Sequence, residues 1–153
     1  MTISLQKIDD TNRAAVLALS VAHEQEKFVG TINDALNDAQ AYPQAKPWYR
    51  AIYAVDIPVG FVMLSWNVIP DPPSIIGPWF LWKLLIDARH QRHGYGRATV
   101  GLIAEIVRAE GGIELLTSYV ESAGNPWPFY KRLGFRQTGE RDDNNEVILA
   151  LRL

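Results

Sequence analysis

The sequence predicts an α/β fold built on a mixed, mainly antiparallel sheet of about seven strands with helices on both faces. Three observations carry this expectation. Short runs of alternating apolar and polar residues recur along the chain, as in Val147, Leu149, Leu151 and Leu153, which is the two-residue period of a strand. An apolar run over 79–86, interrupted only by Lys83, passes through a glycine-containing turn into an amphipathic helical run over 97–109. Proline, glycine, Asp and Asn clusters separate the remaining runs.

Taken in order, Ile3 and Leu5 alternate with Ser4 and Gln6 and predict a short first strand, half buried on one face. Asp10, Thr11 and Asn12 offer capping side chains for a helix reaching about Leu19. A second helix is expected over 31–39, capped by Thr31 or Asn33. Pro43 and Pro47 end that section, and a strand over 49–55 turns at Asp56-Ile57-Pro58 into a strand over 59–66. Gly60, inside the returning strand, marks a bulge or a close backbone approach.

Residues 67–78, with four prolines, form a connecting loop, because proline removes ladder donors. The run over 79–86 reads as a central strand buried on both faces. The helix over 97–109 gathers Leu102, Ile103, Ile106 and Val107 on one side and ends at Gly111-Gly112. Gly101 inside it costs about 1 kcal/mol relative to Ala, which close packing on the sheet would explain. A strand over 115–120 follows. Pro126 opens a short helix that contains Phe129, Tyr130 and Leu133 and stops at Gly134. Strands over 136–141 and 146–153 flank the turn Asp142-Asp143-Asn144-Asn145.

At 153 residues and 48% hydrophobic, the chain suits one domain over 1–153 with a sizeable core. A net charge of -2 and the lack of long basic runs give no general attraction to nucleic acid. Cysteine is absent, which excludes disulfides, thiolate zinc sites and a cysteine nucleophile. His23, His90 and His93 have no ligand spacing, so no metal is expected. The N-terminus lacks an apolar signal-type region and no run approaches eighteen apolar residues, so a cytoplasmic protein without a membrane partner is expected.

The chemistry-bearing stretch is Gln91-Arg92-His93-Gly94-Tyr95-Gly96-Arg97, between the apolar strand and the long helix. A strand, a short glycine turn and a helix start present unpaired NH groups at the positive end of a helix dipole, which favours an anion. Gly94 and Gly96 relax backbone angles and leave no Cβ between those NH groups and a ligand. The spacing fits neither the dinucleotide motif nor the P-loop. Arg89, Arg92 and Arg97 add positive charge nearby, with solvated arginines as the other reading.

Together with Asn125-Pro126-Trp127-Pro128-Phe129-Tyr130-Lys131-Arg132-Leu133-Gly134-Phe135 downstream, this stretch resembles the acetyl-CoA motifs of the GNAT superfamily of N-acetyltransferases. The resemblance spans roughly 48–153 and implies a GNAT-like fold with acetyl-CoA as acetyl donor. It implies that residues 91–97 (Gln91, Arg92, His93, Gly94, Tyr95, Gly96 and Arg97) hold the CoA diphosphate, His93 through its NH. The family's central strand splays from its neighbour, so Leu84 and Ile86, on one edge, would offer backbone groups to the pantetheine arm. Asn125 would bond that arm, although only four residues separate it from Tyr130, fewer than in many members; locally, an Asn before proline also simply starts a helix.

Tyr130 would act as general acid, since a phenol with an ordinary pKa of about 10 is protonated at neutral pH and can donate to a departing thiolate. A packed helix aromatic is the plainer reading. The acceptor ammonium must lose a proton, and Glu121 and Glu24 are the base candidates, neither with a spacing argument. Glu24 and Glu26 fall where the family lines its acceptor pocket, though a solvated polar face or loop is the reading that charged side chains favour.

The segments 24–29 and 51–64 are similar to the bacterial spermine/spermidine acetyltransferase branch, implying a polyamine or diamine acceptor such as spermidine, attacking directly in a ternary complex. The alternative is a non-catalytic CoA or acyl-CoA sensor module. The expected partners are a small-molecule amine and a second copy of the chain in a homodimer.

Overall fold

The computed structural model describes residues 2–153, and it forms one seven-stranded sheet in the order β1-β2-β3-β4-β5-β7-β6. The strands are β1 (Ile3–Gln6), β2 (Pro47–Ala54), β3 (Ile57–Ser65), β4 (Phe80–Ile86), β5 (Glu114–Tyr119), β6 (Arg136–Arg141) and β7 (Val147–Arg152). The helices are α1 (Arg13–Leu17), α2 (Glu26–Val29), α3 (Ile32–Ala41), α4 (Tyr95–Ala109) and α5 (Trp127–Arg132). Every neighbouring pair is antiparallel except β4 and β5. No helix among the described residues is long and apolar enough to cross a membrane.

Side-chain alternation divides the core between the two faces. Val62 and Leu64 pack with Val100, Ile103 and Val107 of α4 and with Tyr130 and Phe135. Phe61 and Met63 point the other way, to Val16 of α1 and Ile32 and Ala35 of α3.

Most expected elements stand within a few residues of their bounds, and the differences have local causes. The first helix is shorter than expected, Arg13–Leu17, and Asn12 does not cap it, because its Oδ1 accepts from Asp9 N at 2.9 Å. Residues 23–25 form a 3-10 turn leading into α2, elements with no apolar period to reveal them. Thr31 caps α3 in a reciprocal pair: its hydroxyl accepts from Asp34 N at 3.0 Å and Asp34 Oδ2 accepts from Thr31 N at 3.1 Å. The hairpin turn is tighter than Asp56-Ile57-Pro58, since Ala54 already pairs with Ile57 across Val55 and Asp56. The helix α4 ends in a Schellman motif, with Gly111 at φ +88, Gly112 N bonded to Val107 O and Gly111 N to Arg108 O.

Gly60 has both features expected of it. A Cβ there would lie 2.3 Å from Leu85 O, and the β2 to β3 register shifts beside its partner Ile52. Gly101 corrects the packing explanation, because nothing lies within 4 Å of the position a Cβ would take. The strand β7 is buried on both faces over its first four residues rather than on one, since it runs between β5 and β6 under the core.

The expectation of a fully buried central strand also fails, for a reason that creates the site. β4 is only partly buried, and it pairs with β5 at two positions alone, Phe80 with Leu116 and Leu81 with Thr117. On its other side the register skips Trp82. A bulge bends and twists its strand, and this one falls immediately after the last β4 to β5 pair, carrying β4 away from β5.

Candidate active site

The opening between β4 and β5 exposes one edge of β4. Asp87 N donates to Val59 O at 2.8 Å, so alternation directs the backbone groups of Leu84 and Ile86 away from β3 and toward the gap. Ile86 O is already engaged by Gln91 Nε2 at 2.9 Å, leaving Ile86 N and both Leu84 groups without a strand partner. The last paired position is closed by Thr117, whose hydroxyl donates to Leu81 O at 2.8 Å.

A cavity of about 600 Å³ runs along this edge to the start of α4. Leu84, Ile86, Gln91, Arg92, Gly94, Tyr95, Gly96, Arg97, Asn125 and Tyr130 all line it, so the structure brings together nearly every donor-side residue singled out in the sequence. Gly94 adopts φ +80 and begins α4, a fifteen-residue helix whose first NH groups have no partner within the helix. A Cβ on Gly96 would meet Phe129 Cζ at 3.2 Å, narrowing the cradle. Arg92, Arg97 and Arg132 line this cavity with His90, and no carboxylate does. These features fit a diphosphate-bearing carrier such as CoA.

Several positions differ from expectation. The His93 ring is exposed and lies against Tyr95, 5.6 Å between centroids, which leaves only its backbone NH for the role expected of it, while His90 lines the cavity. Arg89 is held by Asp87, Nε to Oδ1 at 2.9 Å, and lies outside the cavity. The Asn125 side chain is occupied with its own backbone, donating to Ser122 O at 2.8 Å and accepting from Trp127 N at 2.9 Å, so what the structure displays is the helix-starting role. The Gln91 side chain bonds Gln25 as well as Ile86 O, tying the segment before α2 to the end of β4.

A second cavity, about 370 Å³, opens on the α3 side and shares Phe28, Val29, Leu84, Pro126 and Tyr130 with the first. Its charged lining consists of Asp38, Asp142, Asp143 and Glu146 against a single Lys83. Glu24 and Glu26 correct the acceptor-pocket expectation: both are exposed and line neither cavity, because the 3-10 turn and α2 present Gln25, Phe28 and Val29 inward instead. Glu121 is likewise outside both cavities, paired with Arg141 at 2.8 Å, which is a poor setting for a proton acceptor.

Tyr130 stands where the cavities meet and is 7% exposed. Burial pushes its phenol up to about 12, opposed by its contact with the Thr117 hydroxyl. Glu146 is half-buried and accepts from Ser118 Oγ at 3.0 Å; burial foremost, and the nearby Asp142 charge, push its carboxyl above the ordinary range. Neither Glu146 nor the acidic turn before it had a sequence signal beyond that of a hairpin loop. Lys83 was visible only as the break in an apolar run. Among the described residues no three His, Asp or Glu side chains gather as a metal site.

Comparison with known proteins agrees with this geometry. The model of the acetyltransferase (GNAT) family matches residues 6–135. Over the full length of both chains the protein is 29% identical to the spermine/spermidine N(1)-acetyltransferase of Bacillus subtilis (strain 168). Among solved structures, an acetyltransferase from Thermus thermophilus superposes with a TM-score of 0.72 at 20% identity, covering 100% of this chain and 98% of that one. The PaiA N-acetyltransferase of Thermoplasma acidophilum, solved in complex with coenzyme A, gives 0.67 at 16% identity with both chains fully covered.

Proposed function

The chain belongs to the GNAT acetyltransferase family and is an acetyl-CoA-dependent N-acetyltransferase, and from that premise we propose that its acceptor is a polyamine or diamine such as spermidine, with Tyr130 as general acid in one domain over 1–153. The observation that carries the reading is the separation of charge around Tyr130. Arginines and a helix N-terminus line the cavity on one side, and four carboxylates against one ammonium line the other. An anionic donor and a cationic acceptor are thereby each favoured on their own side. The full-length relative named for spermine and spermidine supports the same acceptor class.

Acetyl-CoA supplies the activated acetyl group when bound. Arg92, Arg97, Arg132 and the first NH groups of α4 would hold its phosphates, and the open edge at Leu84 and Ile86 N would bond its extended arm. Tyr130 Oη would hold a proton beside the sulfur and give it up as the carbon–sulfur bond breaks. Burial keeps that proton in place throughout the neutral range, and the same low-dielectric setting raises the proton affinity of a thiolate.

The test is to follow free-thiol release from acetyl-CoA with spermidine, spermine, putrescine, a monoamine and an amino acid. The expected result is a kcat/KM at least about tenfold higher for the polyamines, equivalent to about 1.4 kcal/mol in transition-state binding. Equal use of the monoamine or amino acid would overturn the acceptor. A CoA-dependent rise in Tm with no thiol release for any amine would leave a binding module only.

A further inference from the structure

Proton removal from the acceptor has no candidate left among the residues expected from sequence, since Glu24 and Glu26 face solvent and Glu121 is paired with Arg141. At neutral pH an alkylamine of pKa about 10 is almost wholly protonated and cannot attack until it loses a proton. We propose that Glu146 is the group that takes this proton, with Ser118 as the positioning residue that fixes its carboxylate, and that it works across the sheet from Tyr130. The proposal rests on the N-acetyltransferase reading above.

Thr117 and Ser118 are consecutive on β5, so their side chains point to opposite faces. Thr117 contacts the Tyr130 phenol and Ser118 holds Glu146, which puts the two proton-bearing groups on opposite sides of the sheet. The passage between them is the gap where β4 leaves β5, and the smaller cavity, lined by both Tyr130 and Glu146, runs through it. A donor reaching Tyr130 from the α4 side and an amine arriving from the α3 side would meet in that gap.

Glu146 is also rigidly held. The turn carrying it is closed by Asp142 Oδ1, which accepts from Asn144 N and Glu146 N, both at 2.9 Å. Asp142 N donates to Glu146 O at 3.1 Å and the Arg141 guanidinium donates to Asn145 O at 3.1 Å. A carboxylate held this way needs little reorganisation to accept a proton.

Asp142 of its own turn and Lys83 of β4 act on Glu146 directly, and the other charged or titratable groups lining the same cavity are Asp143, Asp38 of α3, Tyr42, Tyr119 of β5 and Tyr130 of α5. Burial and Asp142 raise its proton affinity while Ser118 and Lys83 lower it, and the balance lies above an ordinary glutamate, toward the range a base needs. In the reaction the ammonium gives one proton to Glu146, the neutral nitrogen bonds the acetyl carbon and the carbon–sulfur bond breaks. Tyr130 protonates the sulfur and is re-protonated by the second proton the nitrogen loses, and the proton on Glu146 passes to solvent.

The test compares Glu146→Gln with the unaltered enzyme on two acceptors, one amine of pKa about 10 and one of pKa about 7. The expected loss in kcat/KM at neutral pH is about 100-fold for the first and only a few-fold for the second, of which about half is already neutral. For the more basic amine the acid limb of the pH profile should give way in Glu146→Gln to a rise that continues toward the amine's own pKa of about 10, and it should move to higher pH in Ser118→Ala, where a hydrogen bond to the charged form is gone. An unchanged CoA-induced rise in Tm would certify the fold of each variant. A loss confined to KM with kcat unchanged would show that Glu146 merely attracts the cation, an equal loss for both amines would show a structural role, and activity within about twofold for both would also overturn the proposal. Failure of the unaltered enzyme to release thiol with any amine would instead remove the acetyltransferase reading beneath it.

Discussion

The role proposed for Tyr130 rests on position, because a phenol that is 7% exposed still borders both cavities. Replacement by Phe removes only the hydroxyl, so Tyr130→Phe should lower kcat by about 100-fold while CoA affinity stays within about twofold, measured by initial rates and by thermal shift. Asp87 is a second residue whose environment decides its behaviour. Burial alone would raise its carboxyl, but the Arg89 guanidinium and the NH groups of Ser20 and Arg89 outweigh it and hold the group below the usual carboxylate range. A folded-state value below the unfolded one means stabilisation that is present above about pH 4 and lost as pH falls through the folded value. Asp87→Asn should therefore cost about 2 kcal/mol in urea unfolding at neutral pH, with the difference shrinking in acid.

At the scale of elements, the same substitution should have opposite signs at two glycines. Gly101 lies in the interior of α4 with open space around it, so Gly101→Ala should stabilise by about 0.5 to 1 kcal/mol through helix propensity. Gly60 lies in β3 with Leu85 O at 2.3 Å from a built Cβ, and Gly60→Ala should destabilise by about 1 to 3 kcal/mol by forcing β3 from β4. Denaturant midpoints of the two variants check both. The bulge at Trp82 acts on the same scale: one unpaired residue turns a strand expected to be buried into the open edge of a site.

Across the whole molecule the sheet falls into two parts, β1 to β4 and β5 with β7 and β6, joined at two residue pairs and covered by α4 and α5 on one face. The two cavities that meet at the gap carry charges of opposite sign. Raising ionic strength from about 0.01 M to about 0.15 M shortens the Debye length from about 30 Å to about 8 Å, so KM for spermidine and for acetyl-CoA should both rise several-fold. A monoamine should respond less, and a spermidine KM indifferent to salt would remove electrostatic selection of the acceptor.

By itself the sequence determined the order of the strands and of the longer helices along the chain, because these rest on periodicity, whereas the 3-10 turn and α2 had no period to reveal them, and the glycine turn at residues 91–97 and Tyr130 were legible as motifs of a family the chain resembles. It also made the family legible through residues whose spacing along the chain is part of their chemistry. Only the tertiary structure decided which carboxylates line a cavity beside Tyr130. Glu24, Glu26 and Glu121 have the same chemistry as Glu146, and what separates them is whether a turn, an ion pair or a gap between two strands sets each one against solvent or inside the cavity. That distinction arises from contacts between segments far apart in the chain, such as Ser118 with Glu146, which no local pattern encodes.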